Sequence, residues 1–204
     1  MTRKTKAEAE ATREQLLDAA EEAFLENGVA GTSLEAIARR ASLTRGAVYW
    51  HFRDKADLFE AMVRRVRPPL SELVEHLRTE HQGEPLSVVR NLCEYGLRRL
   101  ADDPRHRRVS TILLHCCEHV GNADNAVTRQ DKAAQEFIEL MEQQFARAAE
   151  QGRLHPALTP QTAARALHAY MAGLFSQYLR DPAQFDLTGD AEPLVSAFFE
   201  GISR

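Results

Sequence analysis

Apolar residues recur at three- and four-residue intervals along most of the chain, and the alternation of a half-buried strand is absent, so the pattern predicts helices throughout. Leu16, Leu17, Ala20, Ala23 and Phe24 form the first stripe, on a helix from about Glu8 to Asn27 that Gly28 stops. Thr32-Ser33-Leu34-Glu35 reads as a capping box in which the Thr32 hydroxyl takes an orphan amide and Glu35 reaches back. The second helix, Leu34 to Ala41, buries Leu34, Ile37, Ala38 and Ala41. After a tight turn at Ser42-Leu43, with Leu43 inward, Thr44 caps a third helix of barely two turns, Arg45 to Phe52. Asp54 caps a fourth, with Asp57 at its third position.

Pro68-Pro69 removes two amide donors and predicts a kink or break near Val66–Arg67, with helix resuming through Leu70, Leu73, Val74 and Leu77. Pro85 and Pro104 suit first-turn positions and start helices near 85–102 and 104–119. Asp124 to Gln151 is a long amphipathic helix with Ala134, Phe137, Ile138, Met141, Phe145 and Ala148 on one face, closed by Gly152. Thr159-Pro160 opens a helix that Asp181-Pro182 ends. It is apolar almost all round, as expected of a helix buried on two sides. Asp190 caps the last helix, to about Ile202. The fold class is all-α with nine to ten helices: an N-terminal three-helix domain, 1–54, and a larger helical domain, 55–204.

Composition narrows the function. The 204 residues carry a formal charge of −4, and residues 1–55 hold nine basic and nine acidic side chains. A nucleic-acid contact must therefore come from a local cluster, not from bulk charge. Three cysteines, Cys93, Cys116 and Cys117, make no disulfide framework and fit a reducing cytoplasm. The basic start has no apolar run behind it, so no signal peptide is expected. No stretch nears 18 uninterrupted apolar residues, so no membrane partner is expected either.

The third helix is too short to be a useful core element. Only Val48 and Phe52 need face inward, with Ala47 at the packing interface. That leaves Thr44, Arg45, Gly46, Tyr49, Trp50 and His51 outward. An exposed Tyr-Trp-His run calls for a partner, and double-stranded DNA supplies phosphate oxygens and thymine methyls. Arg45, at the N-terminal end of such a helix, is placed to grip a guanine edge, and Gly46 lets the backbone approach. Thr44, Tyr49, His51, Lys55 and Ser33 suit phosphates, and Arg3, Lys4 and Lys6 form a basic arm.

Residues 12–59, TREQLLDAAEEAFLENGVAGTSLEAIARRASLTRGAVYWHFRDKADLF, resemble the TetR family of bacterial regulators, most specifically in Thr44 to Phe52 followed by Lys55. RRVSTILLHCCE at 107–118 and AYMAGL at 169–174 are similar to multidrug-efflux repressors of the AcrR/TtgR type. The resemblance implies a helix-turn-helix repressor of an efflux operon, released from operator DNA by a small hydrophobic or aromatic inducer. It also implies a homodimer through the last two helices, with Leu194, Val195, Phe198, Phe199 and Ile202 on the dimer face. The pocket positions it implies are Val66, Glu75, Val89, Cys93, Ser110, Leu113, Leu114, Ala134, Phe137, Met141, His168, Met171 and Phe175.

One motif points elsewhere. His115-Cys116-Cys117-Glu118-His119 has the H-x-x-E-H spacing of inverted zinc proteases, and the vicinal cysteines could sense redox state or a soft metal. Five residues among eight histidines are a weak signal, and no third ligand is specified. No catalytic residue, metal ligand or cofactor is therefore assigned, and the metal- or redox-responsive regulator and the zinc hydrolase stand as alternatives.

Overall fold

The computed structural model describes residues 5–66, 74–76, 79, 84–116, 126–183 and 186–203, with 126–133 by backbone alone. The described residues form nine principal helices: α1 (Lys6–Gly31), α2 (Leu34–Arg40), α3 (Arg45–His51), α4 (Lys55–Val66), α5 (Pro85–Asp102), α6 (Pro104–His115), α7 (Ala126–Glu150), α8 (Pro160–Arg180) and α9 (Leu187–Ile202). The expected all-helical architecture is what folds. The chain divides into two compact units, Met1–Arg67 with Arg108–Arg129, and Pro68–Arg107 with Gln130–Arg204. The Pro68-Pro69 pair lies outside the described residues.

In the first unit the expected stripe of α1, with Ile37, Ala38, Val48 and Phe52, is buried around Phe24. Leu58, Met62, Val66, Val109 and Ile112 complete this core. Phe24 meets Phe59 edge-on, ring centroids 5.9 Å apart. Two sequence expectations need local correction. Gly28 does break α1 (φ 70°, ψ 164°), but helical structure continues to Gly31. The break frees the Val29 amide, which donates to Cys116 O at 3.0 Å. Thr32 is not the cap of α2, because its hydroxyl turns back to Gly28 O at 2.7 Å and Ala23 O at 3.1 Å. Ser33 takes the capping role, its Oγ accepting from the Ala36 amide at 3.1 Å. Thr44 and Asp54 cap as expected, accepting from Ala47 N at 3.2 Å and Asp57 N at 2.8 Å.

A charged knot ties this unit together. Glu21 is fully buried and accepts from Arg65 at 2.9 Å and Arg108 at 3.3 Å. Arg65 also holds Asp18 at 2.6 Å and Glu14 at 2.9 Å. One carboxylate thus joins α1 to α4 and to the second turn of α6.

In the second unit α5 and α9 pack on each other, and α7 and α8 contribute Met141, Phe145, Ala163, Ala164, Leu167 and Tyr178 to a single core. Pro85 and Pro160 start their helices as expected, with Glu84 and Thr159 as caps. Gly152, at φ 69°, closes α7. The last helix begins at Leu187, before Asp190, since the Asp190 amide already donates to Asp186 O at 2.8 Å.

The outer surfaces of α8 and α9 differ from expectation. Val195, Phe199 and Ile202 enter the core of the second unit, and Phe198 stacks on Tyr170 at 5.3 Å. What the two helices expose holds no large apolar side chain: it combines small residues, Ala166, Ala169, Ala172 and Gly173 on α8 and Gly189, Ala197 and Gly201 on α9, with polar ones such as Arg165, Gln177, Glu192 and Glu200. The run at 159–180, expected to be buried on two sides, is therefore buried on one side only, with small and polar residues forming the other.

Candidate nucleic-acid interface

The α2–turn–α3 segment is held from below. Gln15 Nε2 on α1 donates to Ala41 O at 2.8 Å, and the turn is closed by Leu43 N to Ala38 O at 2.9 Å. Ser42 takes a positive φ of 54° there, which reverses the chain between the two helices. With Val48 and Phe52 anchored in the core, α3 has one outward face. Trp50 is 72% exposed and Tyr49 48%. Thr44, Arg45 and Gly46 are exposed, and His51 is half-buried against Trp50, ring centroids 4.5 Å apart.

The cap hydroxyls of Ser33 and Thr44 accept from their own helices, which leaves each hydroxyl proton to donate outward. Arg45 reaches along α3: its Nη2 donates to Tyr49 Oη at 3.4 Å, and its guanidinium lies 5.4 Å from the Tyr49 ring centre. That hydrogen bond is the main cause holding the Arg45 pKa above its ordinary value, and Glu35 adds a smaller attraction. Arg45 and Tyr49 line an open cleft with residues 30–35 and Lys55.

Lys55 behaves differently from the phosphate contact its sequence position suggests. Its ammonium donates to Val29 O at 2.6 Å, Thr32 O at 2.9 Å and Ala30 O at 3.3 Å, which accounts for its three donors. Partial burial lowers its pKa. The signal that could have found this is the end of α1, whose last carbonyls lack helical acceptance and draw a cation. Lys55→Ala should lower stability by about 1–3 kcal/mol, because carbonyls that bonded a charged group lose it. Thermal denaturation without DNA checks this, since a residue serving phosphates alone would leave the melting temperature unchanged. Of the basic arm, Lys6 is exposed, while Arg3 and Lys4 lie outside the described residues.

The positions expected to line a ligand pocket fall in both units. Val66, Ser110, Leu113 and Leu114 belong to the first, Val66 and Ser110 buried and the two leucines half-buried. Ser110 Oγ is fully buried with no hydrogen-bond partner among the described residues. In the second unit Val89, Cys93 and Met141 sit in the core, with Phe137, Met171 and Phe175 packed against it. Phe137 and His168 meet at 5.9 Å, Ala134 is half-buried and Glu75 is exposed. Burial pushes the Cys93 thiol up to about 12, so it is inert as a thiolate.

Of the 115–119 cluster, His115 is exposed and Cys116 half-buried, and the rest lies outside the described residues. Among the described residues, no group of three or more His, Cys, Asp or Glu is placed to hold a metal. No described helix is long and apolar enough to cross a membrane.

The sequence pattern of the bacterial regulatory proteins, tetR family, matches residues 16–62. That of the MAATS-type transcriptional repressor C-terminal region matches residues 84–203. The chain is 36% identical to the HTH-type transcriptional regulator AcrR of Shigella flexneri over 98% of its length and 93% of that protein's. Among solved structures it is similar to NalD, the secondary repressor of the MexAB-OprM multidrug efflux pump in Pseudomonas aeruginosa. There the identity is 48% and the TM-score 0.86, covering 96% of this chain and 97% of that one. It is likewise similar to SmeT in complex with triclosan, with 34% identity and a TM-score of 0.83 over 95% of this chain and 92% of that one.

Proposed function

The chain belongs to the TetR family of bacterial regulatory proteins, and on that premise we propose that it represses a multidrug efflux operon and leaves its operator when a small hydrophobic compound binds. One observation carries the DNA half of this reading. A seven-residue helix gives only Val48, with Phe52 beyond it, to the core, and it presents Thr44, Arg45, Gly46, Tyr49 and Trp50 to solvent. No packing need accounts for a 72% exposed tryptophan, whereas a major groove does. Arg45 reads a base edge; Ser33, Thr44, Tyr49 and His51 bind phosphates; Trp50 packs on the backbone or a thymine methyl. Lys55 supports this surface by fixing the end of α1. The work is regulatory, not enzymatic, and belongs in the cytoplasm, where the operator is. Selection from a randomised duplex library should return a two-fold symmetric site, and a flat profile would end the reading.

For the inducer, support comes from the NalD and SmeT relatives, a pump repressor and a triclosan-bound protein. The apolar Val89, Cys93, Phe137, Met141, Met171 and Phe175 of the second unit contribute the hydrophobic lining, with His168, 5.9 Å from Phe137, as a polar anchor.

The homodimer forms through α8 and α9. Their small exposed residues let two helix backbones approach closely, so the interface rests on shape more than on large apolar side chains. A Cβ added at Gly173 points into open space, with no neighbouring atom of its own chain within 4 Å. Gly173→Arg should therefore spare the monomer fold and even favour the helix, while weakening association by about 1–3 kcal/mol through overpacking. Sedimentation at micromolar concentration checks this, and an unchanged dimer would place the interface elsewhere.

A further inference from the structure

We propose that Tyr49 is the positioning residue for Arg45, holding its guanidinium in the reading pose before DNA arrives. The inference rests on the reading of Arg45 as the base contact. Arg45 and Tyr49 are four residues apart on α3, so they share one face of the helix. Both are exposed, yet they are not independent: Nη2 donates to Tyr49 Oη at 3.4 Å, and the guanidinium sits 5.4 Å from the ring centre. The aromatic face and the hydroxyl act together on one cation.

An arginine on a solvent-facing helix otherwise samples many rotamers, and each must be given up when it meets a base. Restraint in the free protein removes part of that cost. The chemistry also leaves the reading groups available. One N–H of five is used on Tyr49, so the fork keeps donors for the O6 and N7 of guanine. The Tyr49 oxygen accepts from Arg45, and its own proton remains to donate to a backbone phosphate. A phosphate bound there would polarise the hydroxyl towards Arg45, so backbone docking and base reading are joined through one oxygen. Glu35 lines the same cleft and attracts Arg45 from another side. Without Tyr49, that carboxylate would compete for the guanidinium.

The test uses the full-length protein and a randomised duplex library, with wild type, Tyr49→Phe, Tyr49→Leu, Arg45→Ala and the Arg45→Ala/Tyr49→Leu double variant. Circular dichroism establishes that each variant folds. The base pair at issue is the one whose preference Arg45→Ala abolishes. Tyr49→Phe keeps the ring and loses the hydroxyl, so preference there should fall by about 3-fold. Tyr49→Leu loses both and should fall further, towards Arg45→Ala. In the Arg45→Ala background, Tyr49→Leu should change nothing more at that base pair. All-sequence binding to a scrambled duplex should fall by a similar amount in the two Tyr49 variants, because both lose the hydroxyl that donates to phosphate. If Tyr49→Leu weakens every sequence alike and keeps the full preference, Tyr49 serves the phosphate alone and the proposal is overturned. If Arg45→Ala itself keeps every preference, the underlying assignment of Arg45 fails instead.

Discussion

Arg65→Met should lower the unfolding free energy by about 3 kcal/mol, near the lower end of the range for breaking a buried ion pair from one side. Arg65 bonds Glu14, Asp18 and Glu21 at once, and Glu21 has no solvent exposure to replace the lost donor with water. Methionine fills much of the stem volume, so the loss measures the charge more than a cavity. Arg108, at 3.3 Å from Glu21, keeps the effect from the top of the range. Urea denaturation at fixed protein concentration checks it, and a change below about 0.5 kcal/mol, the size of an ordinary surface substitution, would contradict it. Adding Glu21→Leu should recover part of the loss, since removing both members leaves no stranded charge.

The second large effect is on recognition. Arg45→Ala should cost about 1–3 kcal/mol at each half-site on the selected operator, the range of a bidentate arginine–guanine contact. For the proposed dimer, which would use two half-sites, the loss counts twice. Arg45 contributes no burial and no bond to the core, so the variant should melt as wild type does. On a scrambled duplex the loss should be no more than that of one phosphate contact, with a correspondingly small change in salt dependence. Equal losses on selected and scrambled duplexes would make Arg45 a phosphate ligand.

Much of the first unit was legible because its signals are local. Thr44 and Asp54 announce their helices within four residues, and the Leu16 to Phe24 stripe follows from one period. Where the sequence misled, a distant partner decided. Thr32 and Ser33 are equivalent as caps by type, and the choice between them turns on the Gly28 and Ala23 carbonyls across the break in α1. Lys55 finds carbonyls 23 to 26 residues away. The Glu21 knot joins residues 44 and 87 positions distant. It did leave a trace: Glu21 falls four after Leu17 and three before Phe24, on the buried stripe, where a carboxylate requires a cation. At the other end, large apolar residues at 194–202 were expected at the dimer face. Periodicity finds an apolar stripe but does not say which neighbour covers it, and here α5 covers Val195 and Phe199.

The central claim is that one protein both holds an operator and releases it on binding a hydrophobic compound. Release requires that the compound prefer the conformation that fits DNA poorly, since equal affinity for both would shift nothing. The direct measurement is fluorescence anisotropy of the selected duplex bound to the full-length protein, titrated with triclosan and a panel of dyes, biocides and plant phenolics. At least one compound should lower operator affinity in a saturable way, and Phe137→Trp or Met171→Trp should blunt the response while leaving affinity without compound intact. If no compound in the panel changes operator affinity while the protein binds its site normally, control by such ligands is contradicted.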